Sequence, residues 1–235
     1  MSILWPEILT ATGLPAPRFT GISRAGWKKF HNHLGDSYVD YIKGYLMKTI
    51  CGYSIETYMS MVEKFHGSMA PGIIIGGFMV HTLWQHRNPE KLYDFLCETS
   101  VCLPDAIQLL TPCTYGNGWL KVVHTGRFAM AMFDKLTGAG RRACLDAQKL
   151  EPYQEIKNWF FKLKPKKMQD KDLLINQIIA AGETILSVQD VQIGHTYLGK
   201  ERLGPVGICP DCGEAYPQKD GKRCIVCQGL TLYEK

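Results

Sequence analysis

Apolar and polar positions change their period several times along the chain, and each change predicts an element. Residues 1–26 follow no period and are rich in Pro, Gly, Ala and Thr, which predicts an irregular arm. From Trp27 to Lys64 the spacing is helical, with Tyr38, Tyr41, Ile42 and Tyr45 falling on one face. Pro71 then suits the first turn of a helix, where a missing N–H costs nothing. The long apolar run "GIIIGGFMVHTLW" follows it and Asn88-Pro89 stops it. "LYDFLCE" predicts a strand, and a helix is expected after Leu103-Pro104. "TPCTYGNGWL" predicts a turn, with Gly116 and Gly118 free to take positive φ. "WLKVVHT" and "RFAMAMFDK" alternate as two strands joined around Gly126. "GRRACLDAQKLEPYQEIKNWFFKL" is expected to return to helix. The charged run "KLKPKKMQDKD", residues 162–172, reads as a solvated connector, with a functional basic patch whose lysines contact phosphates as the alternative. Beyond it "LLINQIIAAG" predicts a helix and "ETILSVQDVQI" a strand. This irregular order gives an α+β class with a mixed β-sheet rather than a regular parallel array.

Composition alters this picture only in places. With 46% hydrophobic and 21% charged residues the chain is of ordinary globular type, and its net charge of +5 permits an anionic partner without demanding one. The N-terminal residues lack a basic start followed by an unbroken apolar core, so they do not read as a signal peptide. The longest apolar stretch is too short to span a bilayer. Nine cysteines in such a chain point to metal or reactive thiols in a reducing, cytoplasmic setting rather than to disulfides.

The sharpest motif is "CPDCGEAYPQKDGKRCIVC". It reads Cys-x2-Cys, eleven residues, Cys-x2-Cys, with Gly213 after the first pair and Asp220-Gly221 turning the chain before the second. Four thiolates at tetrahedral geometry suit Zn²⁺ in a closed structural site, so Cys209, Cys212, Cys224 and Cys227 are expected to form a zinc ribbon. An iron centre on the same thiolates is the rival. Such a short tail buries too little apolar surface to fold without its metal. Nearby Lys219, Lys222 and Arg223 keep nucleic-acid contact as a lesser alternative.

In the core, His66 precedes the apolar helix and Cys113 sits in a Gly-rich turn between Thr111 and Thr114. A histidine and a thiol brought together by a fold make either a transition-metal site or a Cys/His catalytic pair. No dinucleotide or phosphate loop accompanies them: "GAGRR" lacks the strand-turn-helix setting such a loop needs.

"FHG…APG", followed by "C-x-x-DAIQ-x-x-TPCT-x-G-x-G-x-L" and "TGRFA", resembles the E-subunit family of formylmethanofuran dehydrogenase. A C-terminal ribbon is a common appendage in that family. The likeness covers about residues 60–145 and 183–230. It implies an α+β core with a mixed sheet, a homodimer, and a metal held in the core by His66 and Cys113, with Asp105 and Gln108 in the matching "DAIQ" block. It also implies a molybdenum or tungsten oxidoreductase as partner. Three departures stand out: Ser68 replaces a second histidine, Pro112 a glycine, and Asn117 and Trp119 the Lys and Asn of a "GKGN" block. Candidates to complete the core site are His31 and His33 of "FHNHLG", and Cys102. His81, His86, His124 and His195 read as structural or surface residues, and Cys51, Cys97 and Cys144 as small buried ones.

The expected organisation is a helical extension over residues 1–59, a metal-binding core over 60–165, a connector with helix and strand over 166–204, and the ribbon over 205–235. The expected function is a metal-binding accessory protein, with zinc in the ribbon and Zn, Ni or another transition metal in the core. It would deliver metal to, or help assemble, a Mo/W enzyme. The alternatives are a metal-dependent enzyme at His66/Cys113 with Asp105 or Glu98 as acid/base, and a nucleic-acid-binding or regulatory protein. A membrane partner is not expected.

Overall fold

The structure, a computed structural model, describes residues 48–199 and 204–234. His31, His33 and the tyrosines of the N-terminal helical pattern lie outside these residues.

The helical pattern expected up to Lys64 is interrupted. Strands β1 (Thr49–Ile50) and β2 (Tyr53–Ser54) pair through a two-residue turn in which Cys51 and Gly52 both have positive φ, 51° and 88°. The Cys51 N–H donates to His81 Nδ1 at 3.0 Å, which ties the hairpin to the core. Helix α1 (Ile55–His66) begins only there, with the Ser54 hydroxyl accepting from Thr57 N–H, and ends at Gly67 with φ 76°.

Helix α2 (Pro71–Trp84) starts at the expected proline and is buried almost throughout. Its paired glycines seat the neighbouring helices. A Cβ at Gly77 would stand 2.5 Å from the Tyr58 ring of α1, and one at Gly76 would stand 2.8 Å from the Ala106 Cβ of helix α3 (Leu103–Leu110). The glycines that interrupt the apolar run are therefore points of close helix approach.

The sheet has five strands: β3 (Tyr93–Cys97), β4 (Leu120–Val122), β5 (Ala129–Asp134), β6 (Ala139–Leu145) and β7 (Leu186–Gln192). Their spatial order is β4-β3-β5-β6-β7. Only the β3–β4 pair is parallel, with α3 as its crossover, so the sheet is mixed. The two strands expected to join around Gly126 both form, but β3 lies between them. Residues 140–145, expected as helix, belong to strand β6, because pairing with β5 and β7 on both sides outweighs the helical preference of Ala, Arg and Leu. Helix α4 (Gln154–Phe160) forms within the remainder of that segment. Helix α5 (Lys171–Ala181) and β7 come from the segment expected as a connector, and both pack into the core. Lys48 donates to the Ile179 and Ala180 carbonyls at the end of α5.

Alternation along the strands separates two faces. Phe95, Cys97, Met130 and Met132 join the helices in the buried cluster. The opposite face carries Asp94 and Glu98, both buried and paired. Asp94 meets Lys121 at 2.7 Å, and Glu98 meets Arg142 at 2.5 Å and Arg127 at 2.7 Å. Among the described residues no helix is long and apolar enough to cross a membrane.

Candidate metal centres

The C-terminal module is built on strands β8 (Val206–Ile208) and β9 (Ala215–Pro217), which pair only with each other. The first Cys-x2-Cys turns at Gly213, whose φ of 78° lets its N–H return to the Cys209 carbonyl at 2.9 Å. Tyr216 Oη donates to the Gly221 carbonyl and positions the second knuckle. Ligand atoms of Cys209, Cys212, Cys224 and Cys227 lie within 4.8 Å of one another. Cys212 and Cys224 Sγ are 3.8 Å apart. A Zn–S distance of about 2.3 Å gives a tetrahedral edge of about 3.8 Å, so the donor set fits zinc. The Cys224 N–H donates to Cys209 Sγ at 3.5 Å and contributes most to holding that thiol down to about 6. Arg223 is engaged by Asp211 at 3.0 Å, so it is committed within the module.

In the core, three elements converge where α1 ends and α2 and α3 begin. His66 closes α1, and its Nδ1 meets Asp105 Oδ2, from the first turn of α3, at 2.6 Å. A carboxylate on Nδ1 orients the ring and leaves Nε2 as the nitrogen available to a metal. Cys102 precedes α3 with φ 59°, an uncommon conformation for a residue with a side chain. Its thiol lies over Gly72, where a Cβ would stand 3.0 Å from the sulfur. Burial and then the Asp105 charge push the Cys102 thiol upward.

Cys113 has different surroundings. It is fully buried, its Sγ donates to the Tyr93 carbonyl at 3.3 Å, and burial pushes its thiol up to about 11. Among the described residues the finger cysteines are the only group of three or more His, Cys, Asp or Glu donors at metal-binding spacing; His66 and Cys113 do not fall in a second such group.

The turn around Cys113 is held by side chains the sequence did not single out for this role. Asn117 Oδ1 accepts from Thr114 and Trp119 N–H, its Nδ2 donates to the Pro112 carbonyl, and Gln108 Oε1 accepts from Tyr115 N–H. The other described histidines are in structural or surface settings. His81 receives Cys51 N–H and faces Glu183, His86 reaches the Thr82 carbonyl, His124 meets Ser100, and His195 is exposed. Glu98 is a poor proton shuttle. Burial alone would raise its carboxyl, but Arg142 and Arg127 outweigh that and hold it below the usual range.

Against known proteins, residues 65–194 match the family profile described as FmdE, molybdenum formylmethanofuran dehydrogenase operon. The chain belongs to the FmdE family. Residues 200–234 match the FmdE treble-clef zinc finger, so the four-cysteine ribbon is the finger characteristic of that family. A crystal structure of a tungsten formylmethanofuran dehydrogenase FmdE-like protein from Syntrophus aciditrophicus shares 46% identity and a TM-score of 0.73. The match covers 80% of this chain and 98% of that one. No curated protein sequence matches the chain. The FmdE profile spans His66, Cys102, Asp105 and Cys113, and runs on through α5 and β7.

Proposed function

We propose that this FmdE protein is a metal-binding accessory factor for a molybdenum or tungsten enzyme of the formylmethanofuran dehydrogenase type, delivering metal to it or aiding its assembly. One observation carries the reading: the 2.6 Å contact of Asp105 on His66 Nδ1, which turns Nε2 away from the carboxylate as a ligand, with Cys102 three residues before Asp105 as the thiol we assign to the same site. The core site then consists of His66 and Cys102, with Asp105 as orienting partner and Cys113 as the buried prop of the adjoining turn. Such a mixed N/S pair accepts Zn or Ni and leaves positions open for transfer of the ion. Ser68 supplies only a weak hydroxyl donor, which suits reversible holding better than permanent capture. The reading includes a cytoplasmic homodimer with structural zinc in each finger.

Elemental analysis of anaerobically purified protein tests it. Wild type is expected to hold two metals per chain, and His66→Ala and Cys102→Ala one each. Cys113→Ala is expected to keep both. A single metal in all four proteins overturns the core site. Co-purification with the Mo/W enzyme, lost in His66→Ala, tests the accessory role.

A further inference from the structure

The end of α4 carries a surface that neither metal centre uses. Lys162 has φ 56°, with its N–H on the Trp159 carbonyl (3.3 Å) and the Leu163 N–H on the Asn158 carbonyl (2.9 Å). This is the helix-ending arrangement that usually places glycine at the left-handed position and packs the next residue back on the helix. Here the left-handed residue is a lysine, and Leu163 is 58% exposed.

All eight residues from 161 to 168 are exposed, including Phe161 at 46% and Met168 at 72%. The loop is nevertheless ordered by its own bonds. Met168 N–H reaches the Pro165 carbonyl, Gln169 Nε2 the Lys164 carbonyl, and Lys164 pairs with Glu155 at 3.0 Å. The Phe160 ring anchors it against Phe128 and Phe161. Lys162, Lys166 and Lys167 make no side-chain hydrogen bond or ion pair among the described residues. No acidic residue occurs between Glu155 and Asp170.

We propose that this loop docks on an anionic phospholipid surface. Three exposed apolar side chains interleaved along the sequence with cations match a bilayer interface. Leu163, Met168 and Phe161 would enter below the headgroups, and Lys162, Lys166 and Lys167 would stay at phosphate level. Single-stranded nucleic acid would engage the lysines but leave Leu163 and Met168 in water, because bases stack on flat rings. An acidic protein would need a groove cut to three specific side chains, whereas a bilayer accepts any arrangement of them. The contact is peripheral and is compatible with the absence of a spanning helix among the described residues.

Co-sedimentation of the full chain with vesicles decides it. Binding is expected to vesicles of equal parts phosphatidylcholine and phosphatidylglycerol, and not to phosphatidylcholine alone. Each lysine lost is expected to weaken partitioning about fivefold. The triple variant Lys162→Gln/Lys166→Gln/Lys167→Gln therefore falls by about two orders of magnitude. Leu163→Ser/Met168→Ser loses the part of binding that survives added salt. Unchanged thermal unfolding and zinc content show that these loop variants fold. The proposal is overturned by no binding to the mixed vesicles, by equal binding to phosphatidylcholine alone, or by triple-lysine binding equal to wild type. Loss of single-stranded DNA binding in the lysine variant, without any vesicle binding, also overturns it in favour of nucleic acid.

Discussion

The Tyr58 ring lies across Gly77, with its hydroxyl donating to the Ile73 carbonyl at 2.7 Å. Tyr58 is fully buried and tethered, so its ring has nowhere to move. Gly77→Ala is therefore expected to lower stability by about 1–3 kcal/mol through overpacking. Tyr58→Phe, which removes only the hydroxyl bond, is expected to cost about 1 kcal/mol. Urea unfolding of the two variants checks both the sign and the order.

If His66 holds a metal through Nε2, the orienting carboxylate matters although it touches no ion. Asp105→Asn is expected to weaken core-metal affinity about 10- to 100-fold while finger zinc stays bound. Competition against a chromophoric chelator measures this. An unchanged core affinity would leave the 2.6 Å contact as a helix-to-helix tie alone.

The finger contributes no residue to the buried cluster of the core, so its folding depends on its own ion. Stripping zinc with a chelator, or Cys227→Ser, is expected to open residues 204–234 to protease while the unfolding temperature of the sheet domain holds.

Acid should act first on paired carboxylates. Asp134 Oδ1 accepts from Thr137 and Leu136 N–H at 2.9 Å each, and Lys91 stands 3.0 Å from Oδ2. These contacts, the Thr137 N–H foremost, hold its carboxyl down to about 2. A carboxyl depressed in the folded state stabilises it above the ordinary range, near pH 4, and that contribution disappears as pH falls through the folded value. Asp134→Asn is expected to flatten the loss of stability between about pH 4 and pH 2. Glu98→Gln should likewise flatten the loss of stability as pH falls through the depressed folded value, at the expense of the Arg142 and Arg127 pairing above it.

Lys162 occupies a position that glycine fills at no steric cost. Lys162→Gly is expected to raise stability by up to about 1 kcal/mol, the relief of left-handed strain less the greater chain entropy of glycine. Denaturant midpoints report it.

The features legible in the sequence were those fixed by local spacing. The apolar helix after Pro71, strand β3, the helix after Leu103-Pro104 and the four finger cysteines each carry their signal within a stretch of fewer than twenty residues. The features that escaped depend on distant partners. Strand β6 is rich in small and basic residues, and only its two neighbours make it a strand. Neither β4 nor β5 announces that β3 will come between them. The Cys51-Gly52 turn lacks the usual Asn-Gly signal and is secured by His81, thirty residues on. His66 and Asp105 are 39 residues apart, so sequence named both but could not join them. The sequence also named Cys113, but not its bond to the Tyr93 carbonyl or the turn that Asn117 holds beside it.

Because β3 and β4 run in the same direction, the segments leaving both strands emerge along one margin of the sheet. Thr125 bonds the Glu98 carbonyl there through both its N–H and its hydroxyl. Cys102 and the start of α3 follow directly from that margin. The 111–119 turn, with Asn117 at its centre, and the 135–138 hairpin lead into strands from the other side. The molecule thus separates the border that leads to Cys102 and Asp105 from the border that sets strand register. Residues can be exchanged at the first border, with their chemistry altered outright, while the ladder of the sheet is left intact.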